Sequence, residues 1–294
     1  MSAYLIAITI LTLIYVLLAL GLTLQFGLTG LINFGHVGFF AIGAYTSALL
    51  TLNGWPVGVG IVAAAVAAML PALPIGYISL RLRDDYFAIV TLAFSEVVRI
   101  VVTNAREWTS GTQGLPGIAR LYASLNGAAS EWAVLGTILA VTLLAIWMIT
   151  RIARSPFGRL IQAIRDNEVA VKALGKDPAW FKIQVLAVGA ALAGIAGAFY
   201  AHYITYIVPD QFVPLVTFYA WMAITLGGAS RISGAVVGSA ILMVLLEGSR
   251  FVHDFLPMIS DSAMASVRIG VVGLLLILCI VWRPQGLTGK RGDA

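Results

Sequence analysis

The longest polar interval of the chain reads Arg151-Ile-Ala-Arg-Ser-Pro-Phe-Gly-Arg-Leu-Ile-Gln-Ala-Ile-Arg-Asp-Asn-Glu-Val-Ala-Val-Lys-Ala-Leu-Gly-Lys-Asp-Pro-Ala-Trp-Phe-Lys182. It holds seven cations and three anions, so its net charge of +4 is most of the formal +5 of the whole chain. Long apolar segments flank it on both sides. A basic interval between two apolar segments predicts a loop on the cytoplasmic face of a membrane, because lysine and arginine collect on that side.

The composition of the chain predicts a membrane protein. Hydrophobic residues make up 60% of its 294 residues and charged residues only 11%, and the mean hydropathy is +0.97. A soluble domain has about a quarter charged residues. At about 20 residues per span, the length fits about eight to ten transmembrane helices. We therefore predict an all-α polytopic protein in which residues 1–294 form one transmembrane domain, since few residues remain for a soluble one.

Several function classes have no support in the sequence. The pI near 9.5 does not indicate nucleic-acid binding, because the cations cluster at the ends of predicted spans. Cys279 is the single cysteine and the three histidines lie far apart, so we expect neither a disulfide nor a metal site. The chain lacks a glycine-rich nucleotide-binding loop and a nucleophile–base pair, so we expect no catalytic residues.

The polar interval carries the signals of one short amphipathic helix. Ser155 and Pro156 suit its N-cap and first turn, Gly175 suits its C-terminal stop, and Asp177 with Pro178 begins the next helix. At helical spacing, the two faces hold Leu160, Ala163, Ile164, Ala170, Val171 and Leu174 on the apolar side, and Arg159, Gln162, Arg165, Asp166 and Lys172 on the polar side. A capped helix of this kind docks another protein or, alternatively, contacts anionic lipid headgroups.

Two glycine-rich segments predict breaks within the membrane. Residues 27–38 contain Asn33 and His36, and non-helical backbone at membrane depth needs protein or a water-filled cavity to satisfy its amides. Residues 24–52 therefore form either one crossing or a broken helix pair. The second segment, 227–234, lies between two helices of about twelve residues each, 215–226 and 235–246, and such pairs are typical of a transport site or gate.

Three polar residues in these apolar segments are candidates for the translocation path. Glu96 lies in the span 86–104, three residues before Arg99, so the two either neutralise each other as an ion pair or line the path. Asn33 and His36 either line the path or hold the broken backbone together by hydrogen bonds. We expect His202 and Glu247, near span ends, to be interfacial.

Charge patterning gives a topology of nine crossings, with the N-terminus outside and the tail 283–291 in the cytoplasm. The loop 105–131 carries no net positive charge and is placed outside. A second outside loop holds Arg250, His253, Asp254 and Asp261 and precedes a final span over 267–282.

An ordered set of segments resembles one family, the permease subunits of ABC importers for branched-chain amino acids, and within it the second, LivM-like, of the two paired permease types. The resemblance covers nearly the whole chain. Its segments are Asn33-Phe-Gly-His-Val-Gly-Phe-Phe-Ala-Ile-Gly-Ala-Tyr45, Leu82-Arg-Asp-Asp-Tyr-Phe-Ala-Ile-Val-Thr-Leu-Ala-Phe94, Gly111-Thr-Gln-Gly-Leu-Pro-Gly117, Arg154-Ser-Pro-Phe-Gly-Arg159, Ala163-Ile-Arg-Asp-Asn-Glu-Val-Ala170, Leu226-Gly-Gly-Ala-Ser230 and Arg283-Pro-Gln-Gly-Leu287.

The resemblance implies a machine of several subunits in the bacterial inner membrane. This chain would be its transmembrane permease domain, working with a second permease, two cytoplasmic ATPase subunits that hold ATP and Mg²⁺, and a periplasmic substrate-binding protein, all surrounded by membrane lipid. It also implies an ATPase-coupling loop within residues 151–182. Glu168-Val-Ala170 followed by Gly175 is similar to the importer "EAA…G" motif, with valine for the middle alanine and the glycine one position late. The implied coupling residues are Arg159, Arg165, Asp166, Glu168 and Gly175.

Two alternative functions remain open on sequence grounds. A related importer for urea, amides or ribose-like sugars would share the same architecture. An ion-coupled secondary transporter would work without ATPases and should place acidic or histidine residues at mid-membrane in several spans, of which Glu96 is one candidate.

Overall fold

The computed structural model describes residues 2–79 and 84–255, except 124 and 126, together with scattered positions between 270 and 288. The described part contains eleven α-helices. They are α1 (Ser2–Leu22), α2 (His36–Leu52), α3 (Val57–Ser79), α4 (Asp84–Asn104), α5 (Arg106–Thr109), α6 (Ala128–Arg154), α7 (Pro156–Asp166), α8 (Glu168–Ala173), α9 (Pro178–Ile204), α10 (Pro214–Gly227) and α11 (Ile232–Phe255).

Five of these helices are long and apolar enough to cross a membrane: α1 with the π-helical turn Thr23–Gly27 that continues it, α3, α4, α6 and α9. The pair α10–α11 is bent by 116° at its break and can add a sixth span. The prediction of an all-α polytopic membrane protein is thereby confirmed. The final span predicted at 267–282 lies largely outside the described residues, so the total number of crossings stays a prediction.

Helix α9 lies at the centre of the bundle and packs against α1, α2 and α3. Its buried face is rich in glycine and alanine, which lets the neighbouring backbones come close. A methyl group on Gly194 would lie 2.5 Å from the carbonyl oxygen of Ala64 in α3. On Gly189 it would meet Gln25 beside α1, and on Gly197 it would meet Phe40 of α2. Small residues thus set the spacing of the core helices.

One end of the bundle, which we call the loop end, gathers α7, α8 and both predicted breaks. Arg165 of α7 donates to the carbonyl oxygen of Gly27 at 2.7 Å. The backbone N–H of Leu287 donates to the carbonyl oxygen of Leu226 at 2.9 Å. The opposite end, which we call the far end, holds the 105–127 loop. There Tyr206 donates to the Gln113 carbonyl oxygen at 2.7 Å. The two loops therefore lie at opposite ends, as the predicted topology requires.

Both predicted breaks are present. The chain stays helical as far as Thr29 and returns into the bundle as an irregular segment, residues 30–35, before α2 begins at His36. His36 lies beside Leu18, nine residues or about 13 Å of helix rise from Gly27, so α2 begins inside the bundle. The alternative of a broken helix pair over residues 24–52 is the correct one. The second break separates Gly227 from Ile232.

The polar interval forms two helices, which corrects the single helix predicted over 155–175. Asn167 has an extended backbone, φ −158° and ψ 95°, and its side chain accepts from the Ala170 N–H, so it ends α7 and caps α8. Asparagine competes with the helix in this way because its side chain can bond the nearby backbone. The predicted caps are confirmed. Ser155 accepts from the Gly158 N–H at 3.2 Å, and Asp177 accepts from the Ala179 N–H at 3.1 Å.

Helix α11 is twice as long as predicted. A helix over 235–246 followed by an outside loop was expected, but α11 continues from Ile232 to Phe255 and includes Arg250, His253 and Asp254. Polarity alone does not end a helix, because the backbone hydrogen bonds lie within the segment. The next proline, at position 257, is the first residue that disfavours helix at its own position and the one before.

Candidate functional site

The segment that returns into the bundle is held by the fully buried side chain of Asn33. Its Nδ2 donates to Gln25 Oε1 at 2.9 Å, and its Oδ1 accepts from the Gly35 N–H at 2.9 Å. Gln25 in turn donates to the Leu186 carbonyl oxygen of α9 at 3.3 Å. Asn33 therefore connects the end of the first span to the start of α2 and, through Gln25, to the central helix.

His36 is also fully buried and completes this network. Its Nε2 lies 3.2 Å from the Leu18 carbonyl oxygen, and its Nδ1 lies 3.5 Å from Asn33 Nδ2. The network assigns the proton to Nε2, which donates to Leu18, and leaves Nδ1 to accept. Since the polar atoms of both side chains are already bonded within the protein, the geometry favours the scaffold interpretation over a path-lining one.

Two further helices, α4 and α10, bond to the same segment. Trp221 Nε1 of α10 donates to the Asn33 carbonyl oxygen at 3.0 Å, and Thr91 Oγ1 of α4 accepts from the Phe34 N–H at 3.2 Å. Thr217 Oγ1 of α10 accepts from the Val37 N–H at 2.9 Å. Four residues of this network are not among those predicted from the sequence: Gln25, Thr91, Thr217 and Trp221. The only signal was that each is a polar or partly polar residue inside an apolar helix.

Glu96 and Arg99 form an ion pair, one of the two alternatives that the sequence leaves open. Arg99 Nη2 lies 2.8 Å from Glu96 Oε2, and the two side chains are 30% and 34% exposed. Arg99 also lies 3.8 Å from Asp210, in the turn before α10. These contacts join α4 to the far end of α10 and do not place Glu96 with Asn33 or His36. The predicted path residues are therefore two separate groups.

In the polar interval, Glu168 is bound within its own chain. Its two carboxylate oxygens lie 2.8 Å from Lys172 Nζ and 2.8 Å from Lys182 Nζ. The Lys182 side chain is only 9% exposed. Burial raises the pKa of the Glu168 carboxyl, but the hydrogen bonds from the two lysines outweigh that effect and hold the pKa below its usual value. Glu168 thus anchors α8 on α9, a role not anticipated from the sequence.

Arg165 joins the polar interval to the first break. Besides its 2.7 Å hydrogen bond to the Gly27 carbonyl oxygen, it pairs with Asp166 at 3.2 Å. Its Cγ lies 3.1 Å from the position that a Cβ on residue 30 would occupy. Residue 30 is glycine with φ +76°, a conformation that other residues rarely adopt. The glycine thus permits both the turn and the approach of the arginine.

The surface of the interval is apolar at two points. Val169 and Leu174 are 76% and 81% exposed, whereas Ile161, Ile164 and Val171 are buried. The sequence predicts one apolar face that contains Leu174 together with Ile164, but the break at Asn167 rotates α8 relative to α7 and leaves Leu174 exposed. Arg159 is exposed, and Gly175, also exposed, has φ +74°.

Of the two residues expected to be interfacial, His202 lies at the far end but is fully buried. It lies 2.7 Å from Ser47 Oγ through Nε2 and 2.7 Å from the Ala119 carbonyl oxygen through Nδ1. It therefore joins α9 to α2 and to the far-end loop. The interfacial assignment is wrong for this residue, because its ring is enclosed by those three elements. Glu247 is partly exposed.

Comparison with known proteins identifies the family. The sequence profile of the family described as "Branched-chain amino acid transport system / permease component" matches residues 4–280. The chain is 34% identical to the high-affinity branched-chain amino acid transport system permease protein LivM of Escherichia coli, over 95% of this chain and 69% of that protein. It is 28% identical to the probable LivM permease protein of Methanocaldococcus jannaschii, over 95% of this chain and 91% of that protein.

A second type of relative is also similar. The LivH permease protein of Escherichia coli is 27% identical over 94% of this chain and 91% of that protein. The profile match spans nearly the whole chain, and the apolar helices fit a transmembrane permease component. This chain, a multi-pass membrane protein, therefore belongs to the family of branched-chain amino acid transport system permease components.

Proposed function

We propose that this chain is a transmembrane subunit of an ATP-driven importer and forms the translocation path for branched-chain amino acids. Two separate ATPase subunits bind ATP and Mg²⁺, and a periplasmic binding protein delivers the substrate. The loop end and the C-terminus lie in the cytoplasm of a bacterial cell, with the permease in the inner membrane. The names of the relatives support the substrate, and the charge of +4 over residues 151–182 supports the orientation.

The observation that carries the ATPase proposal is the apolar surface of α8. Val169 and Leu174 expose 76% and 81% of their area within a basic segment. Large exposed apolar groups rimmed by charge are typical of protein–protein contacts. Anionic lipid, the alternative partner of the loop, would pair with its lysines and arginines and take up the same two side chains at the edge of its acyl region. Loss of the ATPase on substitution of this pair distinguishes the two partners. The ATPase would therefore seat on α8, while Glu168 holds α8 on α9 from within.

The same loop provides a route from the ATPase to the membrane interior. Arg165 joins α7 to Gly27, and Gln25, in the same π-helical turn, bonds to Asn33. A displacement of the loop would thus reach the network around Asn33 through covalent structure and hydrogen bonds. The second permease is the other proposed partner, since the family includes LivM and LivH types.

Co-purification tests the proposal. The tagged protein is solubilised gently from its native membrane, and the recovery of an ATPase and a second permease is measured for the wild type, Leu174→Asp and Val169→Asp. Both variants should lose the ATPase and keep the second permease. Leu125→Asp in the far-end loop is the matched control and should keep both partners.

Two results would contradict the proposal in different ways. Recovery of the wild-type protein without an ATPase, with uptake abolished by an uncoupler but insensitive to ATP depletion, would favour the ion-coupled alternative. ATP-dependent uptake that is competed by urea, amides or ribose but not by leucine would support an ATP-driven importer but contradict the proposed substrate.

A further inference from the structure

A cavity of about 480 Å³ lies between α1, α9, α10 and α11, apart from the Asn33 network. Its volume is within the range of small-molecule sites, about 300–1,000 Å³. Tyr200 and Ile204, in the last turns of α9, and Tyr4, near the start of α1, are among its lining residues. The cavity therefore occupies the far-end half of the bundle, the side on which a binding protein would deliver substrate under the proposed orientation.

The walls of the cavity are unusually rich in tyrosine. Five tyrosines from three helices line it. Tyr4 donates to the backbone carbonyl oxygen of Glu247 at 2.8 Å. Within the described part of the chain, the hydroxyls of Tyr15, Tyr200, Tyr203 and Tyr219 make no hydrogen bond to protein. These hydroxyls can therefore donate to or accept from a ligand in the cavity, so the four groups favour a polar occupant over a lipid tail.

The remaining lining residues divide by chemistry. Glu247 is the one charged side chain among them, and it adds a carboxylate to the tyrosine hydroxyls. The rest of the lining is apolar and includes Leu11, Met243 and Leu246. A cavity with an acid, hydroxyl donors, aromatic rings and an apolar wall matches a ligand that is both cationic and apolar. None of the described lining residues is a lysine or arginine, so the lining offers no positive charge to a ligand that is only an anion.

We propose that this cavity receives the transported amino acid as a zwitterion on its way from the binding protein. The ammonium group pairs with the Glu247 carboxylate and the tyrosine rings, because both attract cations. The tyrosine hydroxyls donate to the substrate carboxylate, and Leu11, Met243 and Leu246 contact the branched side chain. The identity of the substrate rests on the proposed function, whereas the cavity and its lining do not depend on the ATPases.

Thiol labelling tests the cavity directly. The variant Leu11→Cys, in a Cys279→Ser background within the full complex, should react with a small water-soluble thiol reagent. Saturating L-leucine should slow that reaction about tenfold or more, as expected for an occupied site. Glu107→Cys, on the exposed far-end helix α5, is the control and should react equally with and without leucine. Failure to label Leu11→Cys, as if lipid or a partner helix filled the cavity, would overturn the proposal. Labelling without protection would do the same.

Uptake into reconstituted vesicles supplies the second measurement. Glu247→Gln keeps the side-chain size and removes the charge, and it should raise the leucine concentration for half-maximal protection about tenfold or more, since hydrogen bonds to a charged group are strong. Its uptake should fall while Glu107→Gln behaves as the wild type. If wild-type vesicles with ATPases and binding protein show no ATP-driven uptake, the proposed function fails. If the wild type transports leucine, and if Glu247→Gln shows the same uptake and the same protection of Leu11→Cys by leucine, only the proposed site fails.

Discussion

Replacing Arg165 should uncouple ATP hydrolysis from transport. Its guanidinium donates to the Gly27 carbonyl oxygen at 2.7 Å, and such a charge-assisted hydrogen bond contributes about 1.5–3 kcal/mol. The side chain is 37% exposed, so solvent screening reduces the contribution to about 1–2 kcal/mol. If this contact transmits the movement of α7, its loss should lower the transport per ATP hydrolysed about five- to thirtyfold.

The assay compares leucine uptake with phosphate release in vesicles that hold the whole complex. Arg165→Ala should keep most of the ATPase activity and lose most of the uptake. Arg165→Lys keeps the charge but not the planar fork of donors, so it should be intermediate. Arg154→Ala removes another exposed arginine of the same loop and should behave as the wild type. A normal uptake-to-hydrolysis ratio in Arg165→Ala would refute the reasoning. So would a parallel loss of hydrolysis and ATPase binding, which would make Arg165 a docking residue.

Three further outcomes test the packing and the electrostatics. Asn33→Leu removes the two short side-chain hydrogen bonds, to Gln25 Oε1 and from the Gly35 N–H, and should destabilise the protein by about 2–6 kcal/mol. Asn53→Leu, at an exposed turn, should change the stability by less than about 0.5 kcal/mol, and thermal unfolding in detergent compares the two variants. Gly194→Ala should cost about 1–3 kcal/mol by overpacking, whereas Gly136→Ala, where a Cβ meets nothing within 4 Å, should be neutral or stabilising. Because the folded pKa of Glu168 is lowered, its contribution is present above its unfolded pKa and is lost as the pH falls through the folded value. Hydrogen exchange of α8 should therefore accelerate below about pH 4 in the wild type and be independent of pH, after correction for intrinsic rates, in Glu168→Gln.

The features that the sequence predicts well are local ones. Ser155 and Asp177 cap their helices because each side chain bonds an N–H two or three residues away, which the sequence alone specifies. The breaks after Gly27 and Gly227 follow from clusters of glycine and polar residues. The glycine and alanine pattern of α9 likewise indicates close packing, whichever helices it meets.

The contacts that build the candidate site could not be predicted in this way. Arg165 and Gly27 are 138 residues apart, and no local pattern in either segment predicts their contact. Glu168 is a further example, because its pairing with Lys182 depends on how α8 turns after Asn167. That turn also decides that Leu174 faces outward. Asn167 is only a weak signal of a helix break, since asparagine also occurs within continuous helices.

The returning segment has a consequence for how the protein is made. The Asn33 carbonyl oxygen is bonded by Trp221, 188 residues later in the chain. At a synthesis rate of about 5–20 residues per second, this partner is made on the order of ten to forty seconds after Asn33. During that interval the segment needs water or the insertion machinery to satisfy its backbone. Membrane insertion of the first two helices is thus provisional until α10 arrives, and a chain truncated before Trp221 should be a substrate for membrane proteases.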